Sequence, residues 1–198
     1  SSNNTAAEPR ESNLSFLSNG FSFSNAGNFD NANGGSYVAW QWKEGATPGF
    51  DIVTYAGTGS PGSGIINHNL GVVPAMVIIK QRNSGTANWM VKHRSLSSGQ
   101  NLYLNGTNAQ FAANSIAGGG IADLSSSTQF GFISGTAGSG DYVNNVNGGG
   151  GNYVALLFAP VAGFSAFGSY TGNGSSDGPM IFTNMRPRFI LILRIDSG

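Results

Sequence analysis

The chain has no cysteine, which excludes disulfide staples, thiolate metal sites and a cysteine nucleophile. Charge is nearly as scarce. Lys plus Arg number 9 and Asp plus Glu number 9, so the formal net charge is zero. Only 9% of residues are charged, where an ordinary soluble domain carries roughly 25%. Nucleic-acid binding draws on clustered cations that displace counterions, and nine scattered ones make no basic stripe, so no nucleic acid is expected as a partner. Long apolar runs are missing too. The longest candidates, "YVALLFAPVAGF" and "FILILRI", fall short of the roughly 18 residues a membrane helix needs, so no membrane insertion is expected. The opening "SSNNTAAEPRE" has neither an initiator Met nor a signal-peptide pattern. Its polar character leads us to expect a fragment or a processed product.

What stands in place of charge is Gly, Ser, Asn and Thr. There are 31 Gly and 7 Pro, together below the roughly 25–30% that signals low complexity. The 39% of hydrophobic residues is enough for a core, and 198 residues suit one large or two small domains. Surfaces solvated by small neutral polar groups are frequent in extracellular and virion β-proteins.

Short apolar runs recur between turn residues. They are "FSF" (21–23), "YVAWQWK" (37–43), "FDIVTY" (50–55), "MVIIK" (76–80), "WMVKH" (89–93), "LYL" (102–104), "FGFI" (130–133), "YVALLF" (153–158), "FSAFGSY" (164–170), "MIFT" (180–183) and "FILILRI" (189–195). Val, Ile, Phe, Tyr and Trp dominate them, as a pleated, half-buried surface prefers. Val38, Trp40 and Trp42 alternate with Tyr37, Gln41 and Lys43, the period of a strand. "MVIIK" and "FILILRI" are continuous and predict central strands covered on both faces. Asn-Gly pairs at 19–20, 105–106, 147–148 and 173–174 predict tight hairpins, because both residues tolerate positive φ. Only "TNAQFAANSIAGG" (107–119) has room for one or two helical turns. The expected fold is all-β, a sandwich of short antiparallel strands.

The pattern repeats. "GFDIVTYAGTG" (49–59) returns as "GFSAFGSYTGNG" (163–174), and "YVA" at 37–39 returns at 153–155. "NANGGS" mirrors "NGGGGN", and Pro74 before "AMVIIKQRNSG" matches Pro187 before "RFILILRIDSG". The offsets lie between 113 and 116, far longer than a solenoid unit. The expectation is therefore a duplicated β-sandwich unit of about 115 residues. Residues 1–43 would be the C-terminal part of one repeat, 50–158 a complete repeat and 164–198 the N-terminal part of a further one. "EGATPG" and "APVAG" would be the linkers. Either the chain comes from a longer tandem array, the favoured expectation, or the partial head and tail pack together, within the chain or between neighbouring chains.

The strings "GFDIVTYAGTG", "NHNLGVVPAMVIIKQRNS", "NWMVKHRSL", "YVALLFAPVAGFSAFGSYTGNGSSDGPMIFTNMRPRFILILRIDSG" and "FLSNGFSFSNAGNFDNANGGSYVAW" carry a resemblance over essentially the whole chain. Together they resemble a domain of unknown function found in large structural proteins of tailed bacteriophages, notably marine ones. In that family the units come in tandem pairs, often beside a lectin-like sandwich, in proteins described as tail, fibre or other virion components. The resemblance implies a virion part that forms homo-oligomers, a trimer being favoured. It brings no catalytic residue to this chain. Family members usually continue past the position of Gly198 to finish the second unit, and this chain departs from them there.

The patterns that could carry chemistry read more simply as turns and core. "GTGSPG" (57–62) satisfies G-x-G-x-x-G after a strand, but the dinucleotide fingerprint needs a helix next, and Pro61 with "SGIINHNLGVVP" offers no helical period. "AGGGI" and "NGGGGN" lack the Lys-Ser/Thr of a phosphate loop and read as hairpin tips. His68 precedes a core strand and His93 ends one; a hydrolytic triad would place either beside Ser and Asp, and structural use is favoured. No ligand spacing for zinc or calcium is present, so no metal and no cofactor is expected. Asp30, Asp51, Asp123, Asp141 and Asp177 are isolated and mostly in Gly/Ser/Asn turns, unlike the paired carboxylates of glycosidases. Trp40 and Trp42 read as sandwich core. Trp89 follows the polar turn "RNSGTAN" and is a candidate exposed sugar-stacking platform, with Tyr103 in "NLYLNGTN" and Tyr142 in "GSGDYVNN" as companion ligand contacts. Glycosylation sequons at Asn3, Asn13, Asn105 and Asn173 carry little meaning in a bacterial virus.

The expected function is non-enzymatic: a segment of a tail fibre or similar external appendage that contributes to host attachment. Its expected partners are copies of itself, other virion proteins and a host cell-surface glycan. Its place would be the virion exterior, extracellular after release. The alternatives are a carbohydrate-binding module and a capsid-decorating protein.

Overall fold

The structure, a computed structural model, describes residues 14–24, 31–60, 62, 64–83, 87–115, 119–135 and 145–196. Asp30, Asp141, Tyr142, Asn3, Asn13 and the opening polar stretch lie outside the described residues. The chain divides into two units, one of Glu8–Trp42 and one that holds Lys43–Gly198.

In the smaller unit, strands β1 (Leu14–Leu17) and β2 (Gly20–Phe23) form an antiparallel hairpin in which Leu17 faces Gly20. The hairpin forms where the Asn19-Gly20 pair predicts one, but its two turn residues are Ser18 and Asn19, and Gly20 already belongs to β2. Neither Asn19 nor Gly20 takes the positive φ on which that prediction rests. Phe21 and Phe23 meet edge to face at 5.6 Å.

The larger unit holds β3 (Phe50–Ala56), β4 (Ile65–Asn67), β5 (Met76–Gln81), β6 (Met90–His93), β7 (Gln100–Tyr103), β8 (Phe111–Ala112), β9 (Gly120–Ile121), β10 (Gln129–Ile133) and β11 (Asn152–Phe158). A single 3-10 turn, Ala113–Ser115, is the helical content of the described residues. Six strands form one antiparallel sheet in the order β3-β11-β5-β6-β7-β8, and three form another in the order β4-β10-β9. This is the all-β, antiparallel, sandwich-like fold that the strand pattern predicts.

The core follows from side-chain alternation. In β11, Tyr153, Ala155 and Leu157 point to one face and are fully buried. Beside them are Val77 and Ile79 of β5 and Met90 of β6, packed against Ile121, Phe130 and Phe132 from the smaller sheet. Tyr55 stacks on Tyr153 at 5.1 Å and reaches Phe132 at 5.9 Å. The opposite face of the large sheet carries a second cluster of Ile78, Val91, Leu96 and Leu102. β5 is therefore covered on both sides, as its continuous apolar run predicts.

Buried amides take the place of charges in tying loops to sheets. Asn101, fully buried, accepts the Ile121 N–H at 2.7 Å and donates to the Ile121 carbonyl at 3.0 Å, linking the two sheets. Asn147 accepts the Thr58 N–H at 3.0 Å and donates to the Thr58 hydroxyl and the Ser60 carbonyl.

Four predicted strands are corrected. Residues 37–43, 164–170, 180–183 and 189–195 belong to no sheet among the described residues. "FILILRI" is thus not a central strand. Ile190 and Ile192 are exposed, and Leu193 and Ile195 lean on the second cluster. Alternation makes a strand amphipathic, but a ladder partner must also be supplied. Trp40 and Trp42 are likewise not core but are 60% and 44% exposed. Among the described residues, Asn147-Gly148 and Asn173-Gly174 close no hairpin between strands. Asn105-Gly106 lies in a long loop between β7 and β8 rather than at the tip of a tight hairpin.

Candidate functional site

Asp51 does not sit in a turn. It lies in β3, 2% exposed, and accepts the Ile52 N–H at 3.0 Å and the Asn69 N–H at 2.6 Å. A hydrogen bond to Asp51 raises the Glu44 carboxyl above its ordinary value. His68 is buried and takes the Leu70 N–H on Nδ1 at 3.3 Å. Among the described residues its Nε2 makes no well-formed hydrogen bond, and burial lowers its pKa against a weaker upward pull from the Ser126 backbone and Asp51. His93 takes the Ser95 N–H at 3.1 Å, and burial followed by the Arg94 charge lowers its pKa. Both imidazoles thus hold backbone turns through Nδ1, the atom a catalytic triad would give to a carboxylate.

Lys92 of β6 points into the sandwich, 2% exposed. Its ammonium meets Asp123 at 2.6 Å and donates to the carbonyls of Ser97 and Gln100. Asp123 also accepts from the Ser98 hydroxyl and the Gly99 N–H. These contacts, Lys92 first, hold its carboxyl down at about 2. The pair floors a groove of about 240 Å³ that Arg94, Leu96 and Leu124 also line. Among the described residues, no three His, Cys, Asp or Glu are grouped to hold a metal.

The glycine-rich stretch "GTGSPG" leads into β4. The N–H groups that would cradle a phosphate are engaged: Gly57 donates to Gly151, Thr58 to the Asn147 side chain and Gly59 to the Asn147 carbonyl.

Trp89 and Tyr103 are not brought together. Trp89 immediately precedes β6, half-buried against the second cluster, and its N–H donates to Asn105 Oδ1 at 2.8 Å. Tyr103 ends β7 and packs toward the opposite face, its ring 4.5 Å from that of Phe111. Burial raises its phenol above the ordinary value.

One geometry occurs twice. Tyr153 Oη accepts the Gly148 N–H at 2.8 Å, and Gly151 N–H donates to the Gly148 carbonyl at 3.0 Å. At an offset of 116, Tyr37 Oη accepts the Ala32 N–H at 2.9 Å, and Gly35 N–H donates to the Ala32 carbonyl at 3.0 Å. In each turn the tyrosine ring lies where a Cβ on the glycine two residues earlier would sit, 2.7 Å or less from the hydroxyl. Gly34 and Gly150 share a left-handed φ of 77° and 74°. The second Tyr turn leads into β11; the first leads into residues 37–42, outside the sheets.

The exits match as well. After residues 37–42, Gly45 bridges to Phe50; after β11, Val161 bridges to Ser165. Each turn closes on a left-handed glycine, Gly49 at 72° and Gly163 at 73°. The residues after Gly163 then carry exposed apolar side chains, among them Phe164, Met180, Phe182, Ile190 and Ile192. No helix among the described residues is long and apolar enough to cross a membrane.

These features define an all-β, two-sheet domain with a large exposed apolar segment. The chain belongs to the family described as a domain of unknown function, DUF7483, whose match spans residues 1–198. No curated protein and no solved structure matches it.

Proposed function

We propose that the chain is a non-enzymatic structural segment of a tailed-phage virion protein, part of a tail fibre or similar external appendage. In this reading it is built from tandem β-sandwich repeats near 115 residues and assembles with copies of itself, a trimer being favoured. Other virion proteins and a host cell-surface glycan are its further partners, and its place is the outside of the virion. The observation that carries the reading is the doubled tyrosine turn, with hydrogen bonds of 2.8 and 2.9 Å at the same offset. A repeated backbone device that leads into an apolar segment suits a chain built to join with like modules. The titratable side chains described above are taken up in backbone turns and in one ion pair, which suits a scaffold.

A capsid-decorating role is the second reading. The exposed apolar residues of 180–192 favour it, since such a protein docks an apolar face on a shell lattice. Immunogold electron microscopy of the virion, with antibodies raised against the chain, separates the readings. Label on fibres or the tail is expected. Label over the capsid would establish the decorating role, and an unlabelled virion would overturn both.

A further inference from the structure

We infer that residues 37–42 of one copy of this chain insert between residues 164–170 and 189–194 of a second copy. They complete there the three-strand arrangement that β3, β11 and β5 form in the large sheet. The inference rests on the repeat reading above and names the surface through which copies join.

The large sheet supplies the template. β11 is its second strand, paired on one side with β3 and on the other with β5. Tyr153 stands between Tyr55 and Gln81, Ala155 between Val53 and Ile79, and Phe158 between Phe50 and Met76. Residues 37–42 match β11, 164–170 match β3, and 189–194 match β5. All three matching segments lie outside the sheets.

The register follows from the offsets. Tyr37 falls beside Tyr170 and Arg194, Ala39 beside Ile192, Gln41 beside Ile190, and Trp42 beside Phe164 and Phe189. "FSAFGSY" has one residue more than "FDIVTY", which a β-bulge accommodates.

Three further observations favour this occupant. The donor is prepared: the Tyr37 turn already has the hydrogen bond with which Tyr153 introduces β11. Both partners are apolar and exposed, Val38 at 88%, Ile190 at 65% and Ile192 at 62%. Charge does not oppose the union, since Arg194 is the only charged residue in the three segments and its guanidinium engages Asp196 at 2.8 Å. Joining them supplies ladder hydrogen bonds and removes apolar surface from water, the mode of donor-strand complementation. Donor and acceptor are different patches, so the contact runs head to tail and closes as a ring or extends as a fibre.

Two proline variants of the full chain test it. Proline cannot donate to a ladder and is confined to edges. Ala39→Pro disables the donor and leaves the acceptor; Ile192→Pro does the reverse. Neither residue lies in a sheet, so each variant should fold with an unchanged thermal transition. By light scattering, the unmodified chain should assemble and each variant alone should stay at 20.4 kDa. An equimolar mixture should form a dimer through its one intact junction, and nothing larger. The inference is overturned if Ala39→Pro assembles like the unmodified chain, or if the mixture stays monomeric. It is also overturned if the unmodified chain is a monomer that Ala39→Pro destabilises, which would place the strand in its own chain. Failure of virion labelling would leave this outcome untouched, so the two readings fail separately.

Discussion

Tyr37 and Tyr153 make the same hydrogen bond to a backbone N–H five residues upstream, at 2.9 and 2.8 Å, yet only Tyr153 is buried. The rings occupy equivalent turns, but one introduces a paired strand and the other an exposed segment.

That contrast sets the first expectation. Tyr153→Phe leaves the Gly148 N–H without an acceptor in a buried site and should cost about 1–2 kcal/mol. Tyr37→Phe removes an exposed bond and should change stability by less than about 0.5 kcal/mol. Urea denaturation of the two variants, side by side, checks the difference.

Asp123 sets the second. Its carboxyl is held near 2, below the ordinary 3.8, so it stabilises the fold above pH 3.8 and loses that contribution as pH falls toward 2. Its side chain is 48% exposed, and solvent screening reduces the effect to about 1 kcal/mol. Asp123→Asn should lower stability at neutral pH and flatten the decline across that acid window. Thermal melts from neutral pH down to pH 2 measure both.

The histidines act at higher pH. His68 and His93 both have pKa values lowered from 6.5 by burial, so the unfolded chain takes up protons first. Stability should therefore fall as pH drops below 6.5. His68→Asn retains an acceptor for the Leu70 N–H in the manner of an Asx turn and should weaken this dependence. An undiminished slope would assign it elsewhere.

Two isoleucines at matching positions separate folding from assembly. Ile79→Ala opens a cavity in the main core and should cost about 3 kcal/mol. Ile192→Ala, at an exposed position, should change the chain's own stability by less than about 0.5 kcal/mol while weakening self-association. Calorimetry and light scattering on each variant read the two effects.

The strands with full ladders were legible in the sequence because period and apolarity agreed with pairing, as in "MVIIK" and "YVALLF". Trp40 and Trp42 read as core but are exposed, because alternation reports that a segment has an apolar face, not where its ladder partner is. β4, β8 and β9, at two or three residues each, are too short to show a period. Asn101 carries no signal of its own and Asn147 before Gly148 reads as a hairpin tip; their burial depends on partners distant in sequence, Ile121 for Asn101 and Thr58 for Asn147. Asp51 lies inside "FDIVTY", a strand legible in the sequence, but the burial of its carboxylate against the Asn69 N–H depends on a loop 18 residues away and leaves no local signal.

The central claim is that residues 37–42 form a strand in a second copy, and amide hydrogen exchange tests it most directly. β11 serves as the internal control. In the concentrated chain, the amides of 37–42 and 189–194 should be protected together, and dilution should release them while β11 stays protected. If those amides exchange as fast as an unfolded chain at every concentration while β11 remains protected, residues 37–42 do not complete a second copy.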